Sequence, residues 1–136
     1  MVGAVVVTHG KLAEALVGAA EAITGKMDKV ATVSVSSADS TDGIRGVVSA
    51  AIKEADSGKG VVVFTDMFGG TPTNIALSLM TAGKVEVITG VNLPMLIKFV
   101  GHRADKPIHE LVTVLREYGQ KSIVLAGDML KDRGQP

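Results

Sequence analysis

Apolar residues fall along this chain in two rhythms that take turns. Short runs at Val2 to Val7, Val30 to Val35, Gly60 to Thr65 and Val85 to Thr89 are dense in β-branched side chains. Runs of this length and kind predict strands, most of them buried on both faces. Between them the spacing changes. Leu12, Ala15, Leu16, Ala19, Ala20 and Ile23 recur every three or four residues, as one face of a helix does. Gly25 stands just past them, where a helix often stops. Ser36 to Asp42 is polar and predicts a loop, and Ile44 to Ala55 predicts a second helix weakened by Gly43 and Gly46. Thr71 then Pro72 predicts a helix start, with a hydroxyl cap and a proline at the first helical position. That helix runs to about Met80. Pro94 marks a further start, with helical stretches at about Met95 to Gly101 and Ile108 to Tyr118. Ser122 to Ala126 is predicted as a last short strand, and the polar tail beyond Gly127 is expected to fray.

Strands that alternate with helices imply βαβ units and a mostly parallel sheet. The expected fold is α/β: a doubly wound sheet in the order 2-1-3-4, with helices on both faces. The chain has 136 residues, enough for one domain, and neither a linker nor an internal repeat divides it. A single domain over residues 1–127 and a polar tail over 128–136 are expected. Aromatic residues make up only 3% of the chain, so the core must be built from Val, Ala, Leu, Ile and Met.

Charge removes several functions. Fourteen basic residues balance fourteen acidic ones, without a long run of either sign. A nucleic-acid binder normally carries a basic excess and aromatic residues for stacking, so nucleic acid is not an expected partner. There is no cysteine, which excludes disulfides, thiolate metal sites and cysteine nucleophiles. The first residues lack the pattern of a signal peptide, and no apolar stretch reaches the ~18 residues of a membrane span. A cytoplasmic protein is expected.

Open parallel sheets place their sites beyond the carboxyl ends of the strands, where strand order reverses. In the order 2-1-3-4 the loops after the first and third strands meet there. The first carries His9 in "VVVTHGKLAEAL"; the second carries Asp66 and the turn "DMFGGTPTN". The loop after the fourth strand, with Asn92, should lie beside them. A neutral imidazole is nucleophilic near neutral pH, and an adjacent carboxylate can hold one ring nitrogen as N–H while the other attacks. His9 and Asp66 are therefore the candidate catalytic pair. Gly69, Gly70 and Thr71 form the candidate phosphate-binding turn. Glycines let the backbone approach closely, and a helix start offers free N–H groups and a partial positive charge. Thr71 has two readings, a helix cap or a donor to a phosphoryl oxygen. Met67 and Phe68 also have two: they tuck into the fold, or they form a docking patch to which Met95 and Leu96 add.

Rival motifs fail. No GxGxxG follows the first strand and no GxSxG is present. "DSGKG" lacks the spacing and hydroxyl of a phosphate-binding loop and reads as a turn at a helix end. A receiver domain would place paired acids where Thr8 and His9 stand. His102 and His109 lie far along the chain from His9 and read as surface residues, so no metal site is expected.

Taken together, "VVVTHGKLAEAL", "VVVFTDMFGGTPTNIA" and "VITGVNLPML" resemble the mannose-class enzyme IIA of the bacterial phosphoenolpyruvate:sugar phosphotransferase system. The likeness runs from residue 2 to about residue 126. It implies a phosphoryl carrier that accepts phosphate from phospho-HPr on the histidine matching His9 and passes it to IIB. The family's imidazole-orienting aspartate matches Asp66. Its phosphate-contacting hydroxyl residue, serine in some members, matches Thr71. It implies a homodimer in which a C-terminal strand, matching Ser122 to Ala126, crosses to the other subunit. No metal or cofactor is implied, and the membrane is reached only through a permease complex. Because the chain ends soon after Ala126, IIB is expected as a separate protein. The alternative is a phosphorylation-dependent regulatory protein without sugar transport. Two lower readings are a phosphotransfer subunit feeding dihydroxyacetone kinase and a flavodoxin-type ligand module.

Overall fold

Four of the apolar runs pair as strands: β1 (Gly3–His9), β2 (Val30–Val35), β3 (Val61–Thr65) and β4 (Val85–Thr89). In the computed structural model, which describes residues 1–132, they form one sheet in the order β2-β1-β3-β4. Every pairing is parallel, as the sequence predicts. Residues 133–136, the end of the expected polar tail, lie outside the described residues.

The strand period of two sorts side chains onto two faces. Ala4 and Val6 of β1, with Val62 and Phe64 of β3, point to one face. There they meet α1 (Leu12–Thr24), α4 (Leu93–His102) and α5 (Ile108–Lys121) through Ala13, Val17, Leu96, Phe99, Leu111 and Leu115. Val5, Val7, Val61 and Val63 point to the other. That face is covered by α2 (Thr41–Ala55) and α3 (Gly70–Ser78) through Ile44, Val48, Ile52 and Ile75. Phe64 and Phe99 meet edge-on, with ring centroids 5.6 Å apart. Such a pair adds about 1 kcal/mol beyond its burial. No helix among the described residues is long and apolar enough to cross a membrane.

The two ends of the sheet differ. Where the strands begin, Arg103 is only 5% exposed. Its Nε donates to the Val2 carbonyl at 2.9 Å and its guanidinium lies 4.8 Å from the Phe99 ring centroid. Burial lowers its pKa, and the charge of Asp28 acts against that. Beside it opens a cleft of about 670 Å³, also lined by Lys59, Lys84 and Lys106. Asp56 at the end of α2 binds the Gly58 and Gly60 amides, so "DSGKG" is the turn it resembled.

Three expectations are corrected. Ser122 to Ala126 is not a strand: α5 runs to Lys121, residues 123–125 have no regular structure, and α6 (Ala126–Asp132) follows. An extended segment with no neighbour has nothing to pair its backbone groups with, and no strand of the sheet pairs with these residues. Thr71 is not the cap of α3, because the helix begins earlier and its cap position is Gly69. Met95 and Leu96 join no surface patch. Asn92 caps α4, accepting from the Met95 amide at 3.0 Å, and the helix carries both side chains into the core.

Candidate functional site

β1 is two residues longer at its carboxyl end than a run ending at Val7 would be. Val7 stands opposite Thr65, the last residue of β3, so His9 projects beside Asp66. The Thr8 hydroxyl, fully buried, accepts from the Ala13 amide at 2.8 Å. It thereby ties the start of α1 to the residue before His9. The Gly10 amide is held by the Val35 carbonyl. The histidine thus leaves a strand pinned on both sides of it.

His9 and Asp66 meet as expected. One carboxylate oxygen, Oδ2, accepts from the His9 backbone N–H at 3.0 Å and from ring Nδ1 at 2.8 Å. Burial raises the Asp66 pKa, but the hydrogen bonds from His9 and its charge outweigh that and hold the carboxyl below its ordinary value of 3.8. Asp66 is therefore ionised at neutral pH. The stability it gives is fully present above its unfolded value and is lost as pH falls through the lower folded one. A carboxylate only accepts hydrogen bonds, so Nδ1 carries a proton, and in the neutral imidazole Nε2 is then the nitrogen with the free lone pair.

The Nε2 edge faces the start of α3. A Cβ placed on Gly70 would stand 3.2 Å from His9 Cε1 and 3.4 Å from Nε2. Gly69 and Gly70 have φ of 91° and 81°, in the left-handed region that favours glycine. The first-turn N–H groups of a helix have no intrahelical partner and carry partial positive charge. Here that first turn begins at Gly70, beside the His9 ring. Thr71, exposed in that first turn, is not committed to the cap. The His9, Asp66, Gly69, Gly70 and Thr71 predicted from the sequence are thus adjacent.

The surroundings are open. The His9 side chain is 51% exposed, and Phe68 is 80% exposed with Met67 and Leu12 also at the surface. The cleft of about 670 Å³ lies at the opposite end of the sheet and contains no residue of this site. The loop after β4 lies beside the site as expected, its Val91 amide bonded to the Thr65 carbonyl, but the Asn92 side chain is committed elsewhere: beyond its capping role, its Nδ2 donates to the Gly119 carbonyl at 3.1 Å. His109 lines the far cleft and His102 lies 3.6 Å from Asp105. Sequence reasoning missed three hydroxyls, Thr8, Thr65 and Thr73, all buried around the pair. For Thr8 and Thr65 the available signal was position, a polar residue at the end of an apolar run next to the histidine and the aspartate; Thr73, inside the turn's helix start, carried none.

Comparison with known proteins gives a consistent result. A family model described as the PTS system fructose IIA component matches residues 3–115. The mannose-specific EIIAB component of Escherichia coli K12 is 32% identical over 121 residues. That match covers 88% of this chain but only 38% of the relative's length. The fructose-specific EIIA component of Bacillus subtilis is 24% identical over 96% of this chain and 90% of its own. Among solved structures, phosphotransferase component EIIA of Streptococcus agalactiae superposes with a TM-score of 0.85 at 26% identity, covering 94% of this chain and 99% of that one. The mannose/sorbose-specific IIA subunit of Enterococcus faecalis gives 0.80 at 29%, covering 90% and 92%. A histidine–aspartate pair at a strand-order reversal and a family match across most of the chain lead to one assignment: the chain belongs to the mannose-class IIA components of the phosphotransferase system.

Proposed function

We propose that this protein is a phosphoryl carrier that takes phosphate from phospho-HPr onto His9 Nε2 and delivers it to IIB. The observation that carries the proposal is the free Nε2 held against the α3 N-terminus while Asp66 keeps Nδ1 protonated. The Nε2 lone pair attacks the phosphorus of the donor phosphohistidine in line. The donor N–P bond breaks, its electron pair returns to the donor imidazole, and a new N–P bond forms on His9. The His9 ring, carrying both the Nδ1 proton and the phosphoryl group, becomes cationic, and the Asp66 carboxylate balances that charge. N–H groups of the Gly69 to Thr71 turn, with the Thr71 hydroxyl, face the phosphoryl oxygens. A phosphohistidine is already an activated donor, so the step needs neither metal nor cofactor. Delivery to IIB is the same reaction with His9 as leaving group.

An open convex site suits this chemistry. A protein donor must bring its own histidine to within bonding distance, which a deep pocket would prevent. Exposed Met67 and Phe68 offer apolar contact at the rim. The same reading makes the protein cytoplasmic, meeting the membrane only through a permease.

The reading includes a homodimer. Ile123 is 80% exposed, Val124 and Leu125 are also exposed, and β4 is an unpaired sheet edge. A groove of about 390 Å³ runs beside that edge, lined by Val87, Thr89, Val112 and Arg116 among others. Residues 122–126 of a second copy would pair there as the missing strand, which gives this segment the partner that one chain lacks.

Purified protein incubated with phosphoenolpyruvate, enzyme I and HPr is expected to gain one acid-labile phosphate by intact mass, and the His9→Ala variant none. A phosphate that persists in His9→Ala would overturn the assignment, as would no gain from a cognate, demonstrably phosphorylated HPr.

A further inference from the structure

Asp66 fixes the His9 ring, yet nothing bonded to the Asp66 carboxylate fixes Asp66. Among the described residues, its Oδ2 accepts only from His9 itself, through N–H and Nδ1, and its Oδ1 is buried without a hydrogen-bond partner. The direction of the carboxylate must therefore come from the backbone on either side of it. Both residues flanking Asp66 are bound by one side chain of α3, Met67 through its carbonyl and Thr65 through its hydroxyl. Thr73, 1% exposed in the first turns of α3, donates its hydroxyl proton to the Met67 carbonyl, immediately after Asp66. A carbonyl cannot donate and Thr73 has one hydroxyl proton, so the 2.7 Å bond between the Thr73 and Thr65 hydroxyls is donated by Thr65, immediately before Asp66. The Thr65 carbonyl in turn accepts from the Val91 amide at 3.0 Å.

We infer that Thr73 is the positioning residue of this site. Its hydroxyl joins the two residues flanking Asp66 to the helix that faces His9 Nε2, and so sets the carboxylate, the imidazole tautomer and the α3 N-terminus as one unit. The chemistry favours this over a purely structural role. A valine would fill the same volume, and a buried hydroxyl is retained at low cost only if it is fully bonded. Thr73 is bonded as both donor and acceptor, and both bonds go to neighbours of Asp66. The inference rests on the phosphoryl-carrier reading for its kinetic consequence, though not for its effect on the ring.

The test uses Thr73→Val and Thr73→Ser, with ¹⁵N-labelled histidine. In the wild type the His9 nitrogens are expected to report a proton held on Nδ1. Thr73→Val should move them toward a mixture of tautomers and Thr73→Ser should restore them. In single-turnover phosphorylation by phospho-HPr, Thr73→Val should lower the maximal rate roughly 10- to 100-fold, as a small misplacement of reacting groups does. The HPr concentration at half-maximal rate should hold within about twofold, since docking is untouched. A Thr73→Val protein that melts at lower temperature but keeps the wild-type tautomer and rate overturns the inference. Should Thr73→Val fail to fold, Thr65→Val removes the donor to Thr73 and leaves the Met67 bond. It should move the tautomer the same way by less, and an unchanged signal there is equally fatal. If wild-type protein takes no phosphate, the carrier reading fails, while the nitrogen signals still decide the role of Thr73.

Discussion

The two ends of this sheet bury polar groups of opposite character. Where the strands begin, a guanidinium closes the structure: Arg103 bonds the Val2 carbonyl and stacks on Phe99, beside the cleft of about 670 Å³. Where the strands finish, the buried groups around the reacting pair are neutral hydroxyls, Thr8, Thr65 and Thr73, and His9 stands on an open face. A charge serves as a strut at the end away from the candidate site. Hydroxyls serve as struts around it, which leaves Asp66 as the charged group in contact with the His9 ring. On the proposed carrier reading, concavity and reactivity are separated in this molecule, as they can be when the substrate is the surface of another protein.

That contrast can be broken in three ways. The largest effect belongs to Asp66→Ala, which should slow phosphorylation on the order of 10³-fold, the scale on which loss of a tautomer-fixing carboxylate acts. Its denaturation midpoint in urea should move little, and a large fall in stability with near-normal transfer would reverse the roles of the two ends. Arg103→Ala should do the opposite. It leaves the Val2 carbonyl unbonded and uncovers the Phe99 face, costing about 3 kcal/mol of stability. The folded fraction should still accept phosphate at the wild-type rate in a stopped assay, and a slowed rate would mean the two ends communicate. Thr71→Ala should show the smallest effect, a loss of about 10-fold in transfer rate, because backbone N–H groups remain to hold the phosphoryl oxygens. No change at all would remove the hydroxyl from the site.

The strand order and the meeting of His9 with Asp66 were legible because both follow from patterns local to the sequence. Unbroken β-branched runs separated by helical periodicity leave few topologies, and the reversal in strand order then fixes which loops meet. What was not legible depended on partners that periodicity does not encode. The apolar run at Ser122 to Ala126 has the composition of a strand, but whether it becomes one depends on a free edge, and the only edges of this sheet are β2 and β4. Thr71 reads as a cap because proline follows it, yet two successive left-handed glycines start the helix earlier. Met95 and Leu96 follow a loop at the active end, and only the direction set by the Asn92 cap turns them inward. Thr65 and Thr73 are eight residues apart and read as a strand end and a helix residue. Their hydrogen bond arises from the tightness of the turn between them.

The shared oxygen of Asp66 has a consequence in time. The His9 backbone proton and ring proton both end on Oδ2. One departure of that oxygen frees both protons together, whereas a turn of the exposed imidazole frees only its own. Solvent exchange at the His9 amide should then follow the opening of the turn after β3, with exchange at the ring at least as fast.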